Sequence, residues 1–212
     1  MTKQHFFACD QRALEVSSLA KEILGDAWIV IDIVDLKFAE NYETSRALLD
    51  AKLIEMSSGK PLNKAIQGEG VGLVDACFDA MIRCYDKDYC SLDTISIVDF
   101  KVNAHVEHGS KRKSDAKITA LLYVKNSQNH EYGFECMTSS ISHSSVAVVQ
   151  ESVAFFINAE LAYKQLYRAL KDAEQRGRSD LVARFQNQMS TLVHATSYEN
   201  VVKALNRQSA RP

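Results

Sequence analysis

Near the start of the chain, apolar and polar positions alternate and then slip phase. Ile29, Ile31 and Ile33 alternate with Val30 and Asp32, and after Ile33 the apolar set moves to Val34, Leu36 and Phe38. A period of two marks a half-buried strand, and a one-residue slip predicts a β-bulge. A second strand, residues 51–56, runs into Ser57-Ser58-Gly59-Lys60-Pro61, a turn, and a third strand returns over residues 62–67. The period then changes. Val74, Cys77, Phe78, Met81 and Ile82 recur at helical spacing, which predicts a helix over residues 73–84.

The same succession occurs again downstream. Ile31 to Phe38 reads IDIVDLKF and Ile95 to Val102 reads ISIVDFKV, a shift of 64 residues. Asp50-Ala51-Lys52-Leu53 is answered by Asp115-Ala116-Lys117-Ile118 and Gly68 by Gly133, both at a shift of 65. The phase slip recurs at Ile97 and Val98, strands are expected over 116–125 and 131–137 around the polar turn NSQNH, and a helix carrying Val146, Val149, Val153, Phe156 and Ile157 follows SSISHSS. Ordered matches at a nearly constant offset argue for two copies of one β-β-β-α unit. A helix with one apolar stripe must lay it on its sheet, so the expected fold class is α+β, two duplicated units forming a sheet-and-helix core.

Two flanks lie outside the duplication. Asp10 is placed to cap a helix through Leu24, with Val16, Leu19, Ala20 and Ile23 on one face and Gly25 past its end. From Ala159 onward Leu161, Leu166, Tyr167 and Leu170 keep helical spacing, Gly177 stops it, and Leu181, Phe185, Met189 and Leu192 resume it after a cap expected at Ser179. The division expected is an N-terminal helix (1–25), a duplicated domain (26–160, units about 27–88 and 91–160) and a helical C-terminal extension (161–212).

Composition narrows the class of protein. The chain has 212 residues, 46% hydrophobic, with 2 prolines and 8 glycines, enough for one domain with a real core. No apolar run with the composition of a spanning segment, roughly 20 residues, is evident, and the opening MTKQHFFACDQR lacks the features of a secretion signal, so a cytoplasmic location is expected. Cys9, Cys77, Cys84, Cys90 and Cys136 contain no CxxC pair, which points to reduced, packed thiols. A net charge of −2 with mixed signs gives no reason to expect nucleic acid or an anionic membrane.

The candidate chemistry sits at Gly68 to Ala76, GEGVGLVDA, directly before the first helix. Amides in the first turn of a helix are unpaired and partly positive, so a glycine-shaped loop there can hold a small carboxylate. This segment resembles the glycine-rich loop and helix start of the regulatory, dimerising domain of 2-isopropylmalate synthases. Ser91-Leu92 through Lys101, Ser114-Asp115-Ala116, and the helix closing on Phe155-Phe156-Ile157-Asn158 are similar to further parts of that domain, and the likeness covers roughly residues 27 to 160. The family domain is itself built of two β-β-β-α units. The resemblance implies a homodimer that binds a pathway end product, leucine or isoleucine, and controls a synthase partner. It implies effector contacts from Gly68, Glu69, Gly70, Val71, Gly72, Val74, Asp75 and Ala76 in the first unit and Gly133, Phe134 and Ser139 in the second. Departures from the family pattern are the additional Val71-Gly72, the missing proline, and the lack of an acid where the second helix starts.

Other groups have plainer readings. His105 and His108 have no carboxylate or cysteine at metal spacing, and Lys111-Arg112-Lys113 is a short solvated run. Ser139, Ser140, Ser142, Ser144 and Ser145 around His143 read as helix-cap chemistry, since spacing alone supplies neither a fixed base nor an oxyanion site. The synthase reaction needs a metal-bearing barrel of about 250 residues, longer than this chain. No catalytic residue, metal or cofactor is expected. The function expected is a non-catalytic regulatory protein; the alternative is a structural adaptor subunit that has lost its effector and acts through its helical tail.

Overall fold

The computed structural model describes residues 6–8, 10–105, 117–196, 200–203 and 205. Cys9, His108, Lys111-Arg112-Lys113 and Ser114-Asp115-Ala116 lie outside them. Strand β1 (Phe6–Ala8) precedes helix α1 (Gln11–Leu24). Asp10 caps that helix by accepting from the Arg12 amide at 3.1 Å, and Gly25 ends it at φ 52°, a left-handed backbone that glycine adopts without penalty. The first unit is β2 (Val30–Asn41), β3 (Arg46–Ser57), β4 (Lys60–Gly70) and α2 (Leu73–Tyr85). The second is β5 (Ser96–His105), β6 (Lys117–Lys125), β7 (Glu131–Thr138) and α3 (Ile141–Gln175), and α4 (Ser179–Val193) follows.

The fold is α+β, and its two units repeat the same pattern. In each, three strands form an antiparallel meander and a helix follows the third. The phase slips are bulges at equivalent residues. Ile33 pairs with Leu53 and Asp35 with Lys52, leaving Val34 unpaired; Ile97 pairs with Val124 and Asp99 with Tyr123, leaving Val98 unpaired. Both bulge valines are exposed, as expected where an extra residue breaks the in-out alternation. The β3–β4 connection is a two-residue hairpin in which Ser58 and Gly59 both have positive φ, the mirror-image turn that matches strand twist.

The sheets remain separate, ordered β2-β3-β4 and β1-β7-β6-β5. Strand β1 pairs with β7 from Phe6↔Cys136 to Ala8↔Phe134, and three residues are too short for a period to announce it. One continuous core joins the two units, with Leu49, Leu53 and Met81 from the first and Leu122, Phe134, Phe156 and Ile157 from the second.

Helix α3 organises that core. It packs on β6 and β7 of its own unit and also touches β2, α1, α2 and α4. Among the described residues it is long and apolar enough to cross a membrane by length and composition, with a mean hydropathy of 1.2, but 89% of that window is buried inside the protein. It serves as a core helix. Its run from Ile141 to Gln175 is unbroken through residue 160, where the sequence division placed the start of the extension. It ends at Gly177, φ 67°, where the Arg178 amide reaches back to the Ala173 carbonyl at 3.0 Å.

The start of α4 differs by one residue from the expected cap. Arg178 takes the cap position, Ser179 is already helical, and the Arg178 guanidinium pairs with Asp180 in the first turn at 2.9 Å. The tail folds back in cis. Helix α4 packs on α3 and α1, and Leu192, Ala195, Val201 and Leu205 are buried.

Candidate effector site

The glycine-rich segment divides between two elements. Gly68, Glu69 and Gly70 are the last residues of β4, Val71 and Gly72 form a bend, and Val74, Asp75 and Ala76 lie in the opening turns of α2. A Cβ on Gly68 would stand 2.1 Å from the Ala76 carbonyl oxygen and 2.6 Å from the Ala80 amide nitrogen. On Gly70 it would meet the Ala76 nitrogen at 2.5 Å. These two glycines therefore let α2 lie directly on β4, and the space beside them is filled by that helix. Gly72 faces open space, and Val71 and Asp75 are exposed. The Glu69 amide donates to Asp79 at 2.9 Å, and Asp79 accepts from Arg83 at 3.0 Å, so the strand end and α2 are tied together.

The second-unit candidates sit on the other sheet. Gly133 and Phe134 are buried in β7, where the Phe134 ring meets Phe155 edge-on at 5.4 Å, and Ser139 is exposed before α3. The serine cluster caps and seats that helix. Ser140 accepts from the His143 amide at 3.3 Å, while Ser144 contacts Thr138 at 2.7 Å and donates to the Ile118 carbonyl at 3.1 Å. Cys77, Cys84, Cys90 and Cys136 are free thiols; burial pushes Cys77 up to about 12 and Cys136 up to about 11, which keeps both protonated at neutral pH. Among the described residues no group of three or more histidine, cysteine, aspartate or glutamate side chains could hold a metal.

Sequence reasoning missed the polar contacts made by α3. Asn158 is fully buried, accepts from the Ile29 amide at 2.8 Å and donates to the Ile29 carbonyl at 2.8 Å. Gln150 donates to the Ile31 carbonyl at 3.0 Å, and Glu160 accepts from the Ser91 amide at 2.7 Å. A helix of the second unit thus holds the entry to β2 of the first unit and the linker between the two. The available signal was a glutamate and an asparagine within an otherwise apolar run, FFINAELAY. Such groups are seldom buried without specific partners.

Just beyond these contacts an open cleft of about 760 Å³ lies between α3, the end of β3 and the segment after α2. Leu24, Ile29 and Leu161 supply apolar lining, and Asp88, Lys164 and Arg168 supply charge. The Lys164 ammonium pairs with the buried Glu160 carboxylate at 2.6 Å, donates to the Asp88 carbonyl at 3.2 Å, and lies 5.4 Å from the centre of the Tyr89 ring. Glu55, also at the cleft, pairs with Lys64 at 2.6 Å. Burial first, then the Glu55, Asp88 and Glu160 carboxylates, push the Tyr89 hydroxyl up to about 12, so it is a proton donor at neutral pH.

No family model matches the chain, and no curated protein matches it.

Proposed function

We propose that the chain is a non-catalytic regulatory module, cytoplasmic and homodimeric, that senses a branched-chain or related amino acid and modulates a 2-isopropylmalate synthase-like enzyme or another partner. The observation that carries this reading is the bonding of α3 to both units. Asn158 holds both backbone groups of Ile29, and Glu160 holds the Ser91 amide, so a shift of one unit is felt by the other. Coupling of this kind suits a module that converts occupancy of a site into a change at a surface.

The dimer is supported by matching uncovered positions. Phe38 pairs with buried Leu49 and Val102 with buried Ala120, so both project from the core-facing sides of their strands. Each is 37% exposed, and the two occupy equivalent places in the repeat. A second copy presenting the same faces would cover them. The adaptor alternative acts through the helical tail, and the cis packing of α4 uses much of that tail's apolar face internally.

Sedimentation velocity of the purified chain, with and without a mixture of branched-chain amino acids, tests the proposal. A dimer whose sedimentation coefficient changes with the amino acids is expected. A monomer indifferent to them would contradict it.

A further inference from the structure

The open cleft beneath α3 has room for a small molecule and a lining of mixed charge with an apolar side, and neither the glycine-rich segment nor the second-unit candidates contribute to it. Its volume of about 760 Å³ falls within the range of roughly 300–1,000 Å³ typical of such sites. Its apolar side is Leu24, Ile29 and Leu161, with Leu24 and Ile29 already buried in the core, and that side is therefore rigid.

Its polar side has two poles. Toward α3 stand Lys164 and Arg168, one turn apart on the same helix face. Lys164 is fixed by the Glu160 carboxylate, itself 0% exposed, so the ammonium cannot swing away from the cleft without leaving a buried charge unpaired. Arg168 has no hydrogen bond or ion pair among the described residues and carries a free, planar set of donors. Asp88 lines the cleft beside Lys164, its carbonyl accepting from that ammonium at 3.2 Å, and its carboxylate has no hydrogen bond or ion pair among the described residues, while Glu55 is held by Lys64. The charges lining the cleft, Glu55 and Asp88 against Lys164 and Arg168, cancel. A purely anionic or purely cationic ligand would meet one favourable pole and one repulsive pole. A dipolar ligand with an aliphatic body satisfies both and covers the apolar side.

We propose that this cleft binds a small zwitterion, its carboxylate on Arg168 and the Tyr89 hydroxyl, its ammonium on Asp88, and its aliphatic body against Leu24, Ile29 and Leu161. The site assignment rests on the reading of the chain as an amino-acid sensor and places the ligand away from the glycine-rich segment. It also gives binding a route to the rest of the molecule. The cleft shares Ile29 with the Asn158 contact and Lys164 with the Glu160 contact, the two attachments that join the units.

Calorimetric titration of the full chain with L-leucine, and with 4-methylpentanoate and isopentylamine as analogues lacking one pole each, tests the assignment. Leucine is expected to bind saturably and each analogue at least about tenfold more weakly, since a lost charge-assisted hydrogen bond has an effect of that order. Arg168→Gln should weaken leucine about tenfold without weakening isopentylamine, and Asp88→Asn should weaken leucine without weakening 4-methylpentanoate, since each variant removes a charge that repels the analogue. Both side chains are exposed, and unaltered thermal melts would show that the variants fold. Leucine binding that is equal in the wild type and both variants would overturn the cleft assignment while leaving the sensor reading intact. Absence of saturable heat with leucine and with every other proteinogenic amino acid would overturn both.

Discussion

Replacing Gly68 by alanine separates a packing glycine from a ligand-loop glycine. The new methyl carbon would sit 2.1 Å from the Ala76 carbonyl oxygen, 2.6 Å from the Ala80 nitrogen and 2.7 Å from the Ala80 Cβ. Ordinary contacts begin near 3.5 Å, so α2 would have to lift from β4 by roughly 1 Å. The obstruction is helix backbone, which cannot rotate aside as a side chain can. Lifting α2 loosens Ala76, Cys77, Ala80 and Met81, all nearly inaccessible to solvent. Overpacking of this kind costs about 3 kcal/mol, the upper part of the usual range. For a chain of 212 residues that corresponds to a fall in Tm of about 6–12 °C. Gly72→Ala is the control. Its Cβ meets nothing within 4 Å and its φ of −160° is ordinary extended backbone, so the variant should stay within about 1 kcal/mol of the parent, a small loss of N-cap preference opposing a gain from unfolded-state entropy. Urea denaturation followed by far-UV circular dichroism measures both. If Gly68→Ala were as stable as Gly72→Ala, the close helix-strand contact would be refuted; if it were stable but lost amino-acid binding, the ligand-loop reading of Gly68 to Ala76 would be restored.

Three further outcomes follow from other parts of the fold. Asn158→Ala removes the partners of the Ile29 amide and carbonyl in the core, and two buried backbone groups left unpaired should cost about 2–5 kcal/mol in the same denaturation assay; a loss below about 0.5 kcal/mol would show that this contact does not hold the units together. Cys77 ionises near 9.0 when unfolded and near 12 when folded, so its contribution to stability is complete below pH 9.0 and is lost as pH rises from there toward 12, and native protein at about pH 8 should leave Cys77 and Cys136 unreacted with a thiol reagent; rapid labelling of either would contradict their burial. Phe38→Lys combined with Val102→Lys should convert a dimer to a monomer in sedimentation with little change in the melt, because both positions are partly exposed in the single chain; a dimer that persists would place the interface elsewhere.

The repeat was readable because strand and helix periods are local. The slips at Val34 and Val98 appear in the sequence as breaks in alternation, and each became a bulge because the central strand, β3 or β6, is held in register by buried residues on one face. The cap at Asp10 and the stops at Gly25 and Gly177 were readable for the same reason. The role of Gly68 was not, since nothing in GEGVG tells whether the vacant side of a glycine faces a ligand or a helix; that depends on Ala76 and Ala80 one and two turns into α2. The cleft was also hidden. Its poles come from residues 88 and 168, brought together only by the long-range seating of α3 on the first unit, whereas the stretch of α3 that seats it, from Asn158 to Lys164, showed its polar residues but not their partners.

A crystal structure grown in a mixture of the proteinogenic amino acids tests the regulatory account most directly. The account predicts two copies related by a two-fold axis, Phe38 and Val102 covered at their interface, and an amino acid in the cleft between Asp88 and Arg168. Isolated copies with both the cleft and the surroundings of Gly68 to Asp75 filled only by solvent would contradict it.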